Sequence, residues 1–200
     1  MTENEPRKIN WLKLGIIFFI FAIFSVALAY ATQVLLQNVH LPLYKFELAA
    51  YLTIFVIAIV VNLSLVPLPF VVSIMIVAAA RWNPWLVALS GSLGASLGEM
   101  SYYYLGFLSK KLAVPDDIIG YNKVKGWVDK YGMWAIAFLS FQPVLPIEIG
   151  GLVAGLTKYP LHKFLLALWI GKYPKYIILI FLGSAVLHLV PMPHLNWLPF

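Results

Sequence analysis

Residues 133–157 read MWAIAFLSFQPVLPIEIGGLVAGLT: an apolar arm, a break at Pro143-Val144-Leu145-Pro146, and a second short apolar arm. An earlier block, residues 48–80, has the same form and breaks at Pro67-Leu68-Pro69. Proline removes an amide donor and pushes the residue before it out of the helical region, so neither block reads as one continuous helix. The arm after the first break, residues 70–80, is about 16 Å long at helical rise, against a hydrocarbon core of about 30 Å. It cannot span a bilayer alone. Each block is therefore expected to form a hairpin that enters the membrane, turns at its prolines and leaves on the same side, with surrounding protein satisfying the broken backbone.

The composition agrees with a chain that lives in lipid. Of 200 residues, 62% are hydrophobic and 11% charged, and the mean hydropathy is +0.88. Soluble domains carry roughly half apolar and a quarter charged residues. Disorder, collagen and coiled coil are excluded on the same numbers. There is no cysteine, which rules out disulfides, thiolate metal sites and thiol nucleophiles. The net charge of +6 does not indicate nucleic acid, because the lysines flank apolar segments and form no basic face with interleaved aromatics.

The remaining segments complete a polytopic, all-α pattern. Residues 14–31 carry no charge and follow Arg7, Lys8 and Lys13, so residues 1–47 read as a cytoplasmic N-terminus and a first spanning helix. A signal peptide is the competing reading, with small residues Ala27, Ala29 and Ala31 as cleavage sites, but the apolar run is long for one. Arg81-Trp82-Asn83-Pro84 reads as an interfacial turn, and residues 85–108 as a span. Residues 109–132 read as an exposed linker ending in a short amphipathic helix, with Trp127 and Trp134 at the boundary. Residues 161–183 read as a last span interrupted at Lys172-Tyr173-Pro174-Lys175, and residues 184–200 as an interfacial tail.

A shift of 77 residues superposes Pro69 on Pro146, Arg81 on Lys158, Gly94 on Gly171 and Gly106 on Gly183. Broken segments at matching places in two halves are the sequence signature of inverted-repeat transporters. If each hairpin returns to its own side, each unit crosses the membrane once and the two are inverted. One face then receives ten basic residues, among them Lys110, Lys111, Lys123, Lys125 and Lys130, and the other only Lys45 and Arg81. The positive-inside bias makes the rich face cytoplasmic.

Four ionisable residues stay inside apolar segments: Glu99, Glu148, Lys172 and Lys175. Each costs roughly 2.5–3.5 kcal/mol at the bilayer centre, so such residues mark function or a neutralising pair. On the first reading the lysines, with Arg81, attract a lipid phosphate while Glu99 and Glu148 exchange a proton. On the second, a glutamate simply pairs with Lys172 or Lys175. Gly94 with Gly98, and Gly151 with Gly155, form G-x-x-x-G rows that favour close helix packing over a cavity lining.

No catalytic constellation emerges. Gly94-Ala95-Ser96-Leu97-Gly98 matches G-x-S-x-G, but in a helical context without the strand-to-helix turn that exposes a nucleophile. His40, His162, His188 and His194 lack metal-ligand spacing, and no dinucleotide or phosphate-loop fingerprint occurs. Neither metal nor cofactor is expected, and the chain does not read as an enzyme. Asn62-Leu63-Ser64 is a glycosylation sequon placed inside an apolar arm.

Gly94-x-x-x-Gly98-Glu99 with Tyr103 and Gly106, Pro143-x-x-Pro146 leading to Ala154-Gly155-Leu156-Thr157, then Ile170-Gly171 with Pro174 and Gly183 resemble the DedA and SNARE-associated, or VTT-domain, superfamily over residues 48–183. The resemblance implies two inverted re-entrant hairpins. It also implies movement of polyprenyl phosphates or phospholipids across a membrane in the bacterial members, and scramblase-like behaviour in the eukaryotic ones. It assigns Glu99 to the acidic position after the glycine pair, and Pro143 and Pro146 to the hairpin prolines. Many members carry an arginine near Ser140 and some an asparagine near Gly151. This chain has neither and instead places Lys172 and Lys175 in its final span.

The expectation is a multi-pass protein of a prokaryotic cell membrane that translocates an anionic lipid through a polar midplane site, by alternating access or along a groove. A non-transporting membrane organiser is the alternative. The partners expected are membrane lipids, an anionic headgroup as substrate and a second copy of the chain in a homo-oligomer.

Overall fold

A computed structural model describes residues 11–36, 46–63, 70–109, 121–142 and 147–189, all largely helical and without a strand. In chain order the helices are α1 (Trp11–Leu36), α2 (Glu47–Leu63), α3 (Phe70–Ala79), α4 (Pro84–Gly98), α5 (Met100–Ser109), α6 (Tyr121–Tyr131), α7 (Met133–Phe141), α8 (Ile147–Leu156) and α9 (Leu161–Leu189). The four prolines assigned to the hairpin turns, Pro67, Pro69, Pro143 and Pro146, lie outside the described residues. So does most of the expected linker and the tail beyond residue 189.

Local chemistry sets the helix ends. Asn83 caps α4: its side-chain oxygen accepts from the Trp85 amide at 2.9 Å, and Pro84 follows at the first helical position, where its missing N–H costs nothing. Gln142 ends α7 with extended backbone at φ −72°, ψ 146°, the conformation that a following proline enforces. Helix α8 closes in a Schellman turn, with Lys158 N–H donating to Gly155 O at 3.0 Å and Tyr159 N–H to Ala154 O at 2.8 Å. That turn puts Lys158 at φ 54°, where glycine is usual. Gly132, at φ 55°, turns the chain from α6 into α7.

In each apolar block the outer ends of the two described arms come together. The Asn83 amide, just past α3, donates to the Tyr51 hydroxyl near the start of α2 at 3.2 Å. Past α8, Tyr159 stands beside Gly132 at the start of α7. Helices α3, α7 and α8 have 10, 9 and 10 residues, about 15 Å each.

The described chain gathers into two units. The first holds the α2–α3 hairpin, α4 and α9 from Tyr173 onward. Its core joins Ile54, Ala58, Met75, Val87, Ala95 and Ile180, and Ala29 of α1 packs with Ile76 and Val77. The second holds α5, α6, the α7–α8 hairpin and α9 up to Lys172. Its core joins Tyr103, Val124, Val128, Ile136, Leu139, Val153, Phe164 and Leu168.

Missing side chains make the closest contacts, and these contacts recur with the repeat. Gly94 of α4 rests on the Phe55 carbonyl and Ala58 of α2. Gly171 of α9, 77 residues on, rests on the Ala137 carbonyl and Ser140 of α7. Gly106 of α5 rests on the Leu152 backbone of α8, and its counterpart Gly183 rests on Ile76 of α3. Each hairpin thus receives the first half of its own following span and the second half of the other's.

Two expectations about the spans are corrected. Residues 85–108 are not one helix: the chain breaks at Glu99, where the Tyr102 amide bonds back only three residues to the Glu99 carbonyl, at 3.2 Å. The interruption expected at residues 172–175 does not occur, since α9 runs through Pro174. One proline forfeits a single i−4 bond, and in spanning helices such a loss is tolerated when neighbours hold the helix.

Candidate functional site

The break at Glu99 puts a carboxylate inside the second unit. Gly98, before it, cannot carry a side chain, because a Cβ there would lie 2.6 Å from the Ile59 carbonyl oxygen. Helix α4 therefore ends hard against α2, and Glu99 starts the next segment with only 4% of its surface exposed. Lys172 arrives on α9 directly after Gly171, whose close seat on α7 carries the lysine inward to 2% exposure. The Ser140 hydroxyl, itself buried, donates to the Leu168 carbonyl at 2.9 Å and fixes the same helix contact.

Lys172 Nζ donates to Glu99 Oε1 at 2.6 Å. Glu99 Oε2 is buried and has no hydrogen-bond partner among the described residues. A charged oxygen left so is costly, and native structures keep such groups mostly for a ligand, a water or a catalytic purpose.

Glu148 belongs to the same neighbourhood. It stands half-buried in the first turn of α8, where the helix dipole favours a carboxylate. It shares a helix face with Gly151 and Gly155, which rest on Tyr102 and on the Tyr103 backbone of α5. These contacts advance together along both helices, so α5 and α8 run parallel, with Glu99 and Glu148 at their leading ends. Buried Tyr102 lies within electrostatic reach of Glu148, Glu99 and Lys172. Further along the seam, the Tyr103 hydroxyl donates to the Tyr159 carbonyl at 2.7 Å.

Of the ionisable residues singled out from sequence, Glu99, Glu148 and Lys172 fall in the second unit. Lys175 and Arg81 belong to the first, Lys175 with its Nζ 6.0 Å from the Tyr176 ring and Arg81 half-buried in the turn after α3. Gly94, Gly98, Gly151 and Gly155 all meet neighbouring helices at contact distance. Ser96 of the G-x-S-x-G match sits inside α4 and donates to the Ser92 carbonyl at 2.7 Å. Among the described residues no three His, Asp or Glu side chains group so as to hold a metal. Tyr102 and Ser140 were missed as site residues, although Tyr102 follows Glu99 by three positions, the spacing that shares a helix face.

Part of the exposed surface suits lipid. Leu48, Leu52, Val56 and Val60 form an exposed stripe along α2 at i+4 spacing, each more than half exposed. Residues Leu161–Val186 of α9 are long and apolar enough to cross a membrane. Short paired helices, glycine seams, a buried ion pair and an exposed apolar stripe are the features of a membrane-associated helical protein.

The VTT-domain model matches residues 66–185. The chain belongs to this family, the DedA and SNARE-associated membrane proteins. No curated protein and no solved structure matches it.

Proposed function

We propose that the protein translocates a lipid with an anionic headgroup, a polyprenyl phosphate or a phospholipid, across the membrane in which it is embedded, and that it is not an enzyme. The observation that carries this reading is the buried Glu99–Lys172 pair with its second carboxylate oxygen left over. A carboxylate held among the described residues by one ammonium through one oxygen, with its second oxygen left over, suits a group that changes partners: an entering phosphate takes Lys172, and Glu99 takes up a proton. Tyr102 and Glu148 supply further polar surface at the same level. On this reading the hairpins are re-entrant, the face bearing the linker lysines is cytoplasmic, and Lys175 and Arg81 are further phosphate partners.

The test is flipping of a fluorescent lipid in proteoliposomes. The intact protein is expected to expose inner-leaflet label to an outside quencher, and Glu99→Gln/Lys172→Met to abolish this while the protein stays helical and monodisperse. One feature favours a second reading. Helices about 15 Å long at α3, α7 and α8 would thin a bilayer without any transport. A folded protein that flips nothing identifies that membrane-organising role.

A further inference from the structure

We propose that the lysine-bearing end of the second unit is a docking surface for the anionic headgroups of one membrane leaflet. Helix α6 buries Val124 and Val128 in the core and leaves Lys123, Lys125 and Lys130 exposed. Lys158, past the end of α8, and Lys163, in the first turn of α9, share this end, because Tyr159 and Leu161 pack into the cluster that holds Val124 and Val128. Among the described residues at this end, five lysines stand with one aspartate, Asp129.

Three of the ammonium groups sit beside rings, those of Tyr131 and Phe107 exposed and that of Trp127 half-buried against the core. Lys123 Nζ is 5.4 Å from the Trp127 ring, Lys130 Nζ 5.1 Å from Tyr131 and Lys158 Nζ 6.0 Å from Phe107. Tyr131 is 55% exposed, and Trp134 beside it 67%. An exposed ring with a lysine stem along it matches the boundary between acyl chains and phosphates, where the ring enters the apolar layer and the charge snorkels to the headgroup. A purely solvated lysine face would not need those rings. Lys158 adds a backbone argument, since it holds a left-handed position that glycine would fill more easily. Phosphate-bearing headgroups of net negative charge fit this surface, and zwitterionic ones do not.

This inference rests on the membrane-embedded reading above but not on transport. The experiment reconstitutes the full chain in phosphatidylcholine vesicles doped with spin-labelled phosphatidylglycerol or spin-labelled phosphatidylcholine, and measures the immobilised fraction of each. The glycerol lipid is expected to be preferred about fivefold, the factor equivalent to about 1 kcal/mol for one lysine near an anionic surface. The preference should fall toward unity in 0.5 M salt (about a 4 Å Debye length) and in Lys123→Gln/Lys125→Gln/Lys130→Gln, and should persist in the triple arginine variant. Equal immobilisation of both lipids by the intact protein overturns the proposal, as does a glutamine variant that keeps the full preference. If that variant does not reconstitute, the salt titration of the intact protein decides. A Glu99→Gln/Lys172→Met variant separates this surface from the buried site: loss of the preference there would place the headgroup at the ion pair and overturn the proposal.

Discussion

Removing one member of the Glu99–Lys172 pair should cost far more than removing both. Both side chains are almost fully buried, at 4% and 2% exposure, and meet at 2.6 Å. Lys172→Met leaves a carboxylate that already has one bare oxygen with no cation at the other. A buried charge stranded in this way costs about 3–5 kcal/mol, a large part of the roughly 5–15 kcal/mol that holds a typical domain together. Glu99→Gln strands the ammonium instead and should cost a similar amount. The double variant Glu99→Gln/Lys172→Met buries no charge and should lie within about 1–2 kcal/mol of the parent, since isosteric replacement of buried pairs is often neutral. Reversible unfolding in mixed micelles, followed by helicity, measures all four corners of this cycle. Single variants that lose less than about 1 kcal/mol, or a double variant as unstable as the sum of the singles, would refute the pair as a coupled buried unit. The same proteins separate structure from function: the double variant should fold and yet fail to flip lipid.

Glycine seams give a second set of outcomes. Gly106→Ala and Gly155→Ala would drive a Cβ into the backbone of the facing helix, and each should lower stability by about 1–3 kcal/mol. Gly126→Ala on α6, where a Cβ meets nothing within 4 Å, should raise it by about 0.5–1 kcal/mol; thermal unfolding in detergent compares the three. Lys158→Gly relieves the left-handed residue at φ 54° and should stabilise by about 1 kcal/mol. Pro174→Ala restores one helical bond inside α9, and should stabilise by up to about 3 kcal/mol; a lower melting temperature would show that α9 is shaped around the proline.

Proline and glycine made the architecture readable in advance. Each apolar block carries a proline break, so neither reads as one continuous helix, and the 77-residue repeat picked out Gly94, Gly106, Gly171 and Gly183, all of which seat on neighbouring helices. The break at Glu99 was not readable. No proline marks it, and it falls next to the seat of Gly98 on the Ile59 carbonyl, a contact between residues 39 positions apart. The opposite error came at Pro174, where local preference argued for a break and the packed surroundings kept the helix whole. Partner choice within the four charges of the apolar segments was equally hidden. Composition said that charges in apolar segments must be compensated, but only the seating of Gly171 on α7 decides that Lys172 is the cation Glu99 meets.

The repeat duplicates packing and not chemistry. Gly94 and Gly171 make equivalent contacts, and so do Gly106 and Gly183, yet the position equivalent to Glu99 is Tyr176 and the position equivalent to Lys172 is Ala95. Each repeat contributes one charge, and the other repeat has no copy of it. Selection for a stable scaffold alone would tolerate an apolar residue at both places, as the counterpart positions demonstrate: Ala95 and Tyr176 are buried in the core of the first unit with no ion pair between them. Glu99 and Lys172 also stand at two of the three points, Gly98–Glu99 and Lys172–Tyr173, at which the chain leaves one unit for the other. An ion pair that costs stability to bury and is dispensable for the packing around its counterpart positions is more readily explained by function than by packing. If the proposed function holds, its loss should abolish translocation even in a double variant whose stability is restored.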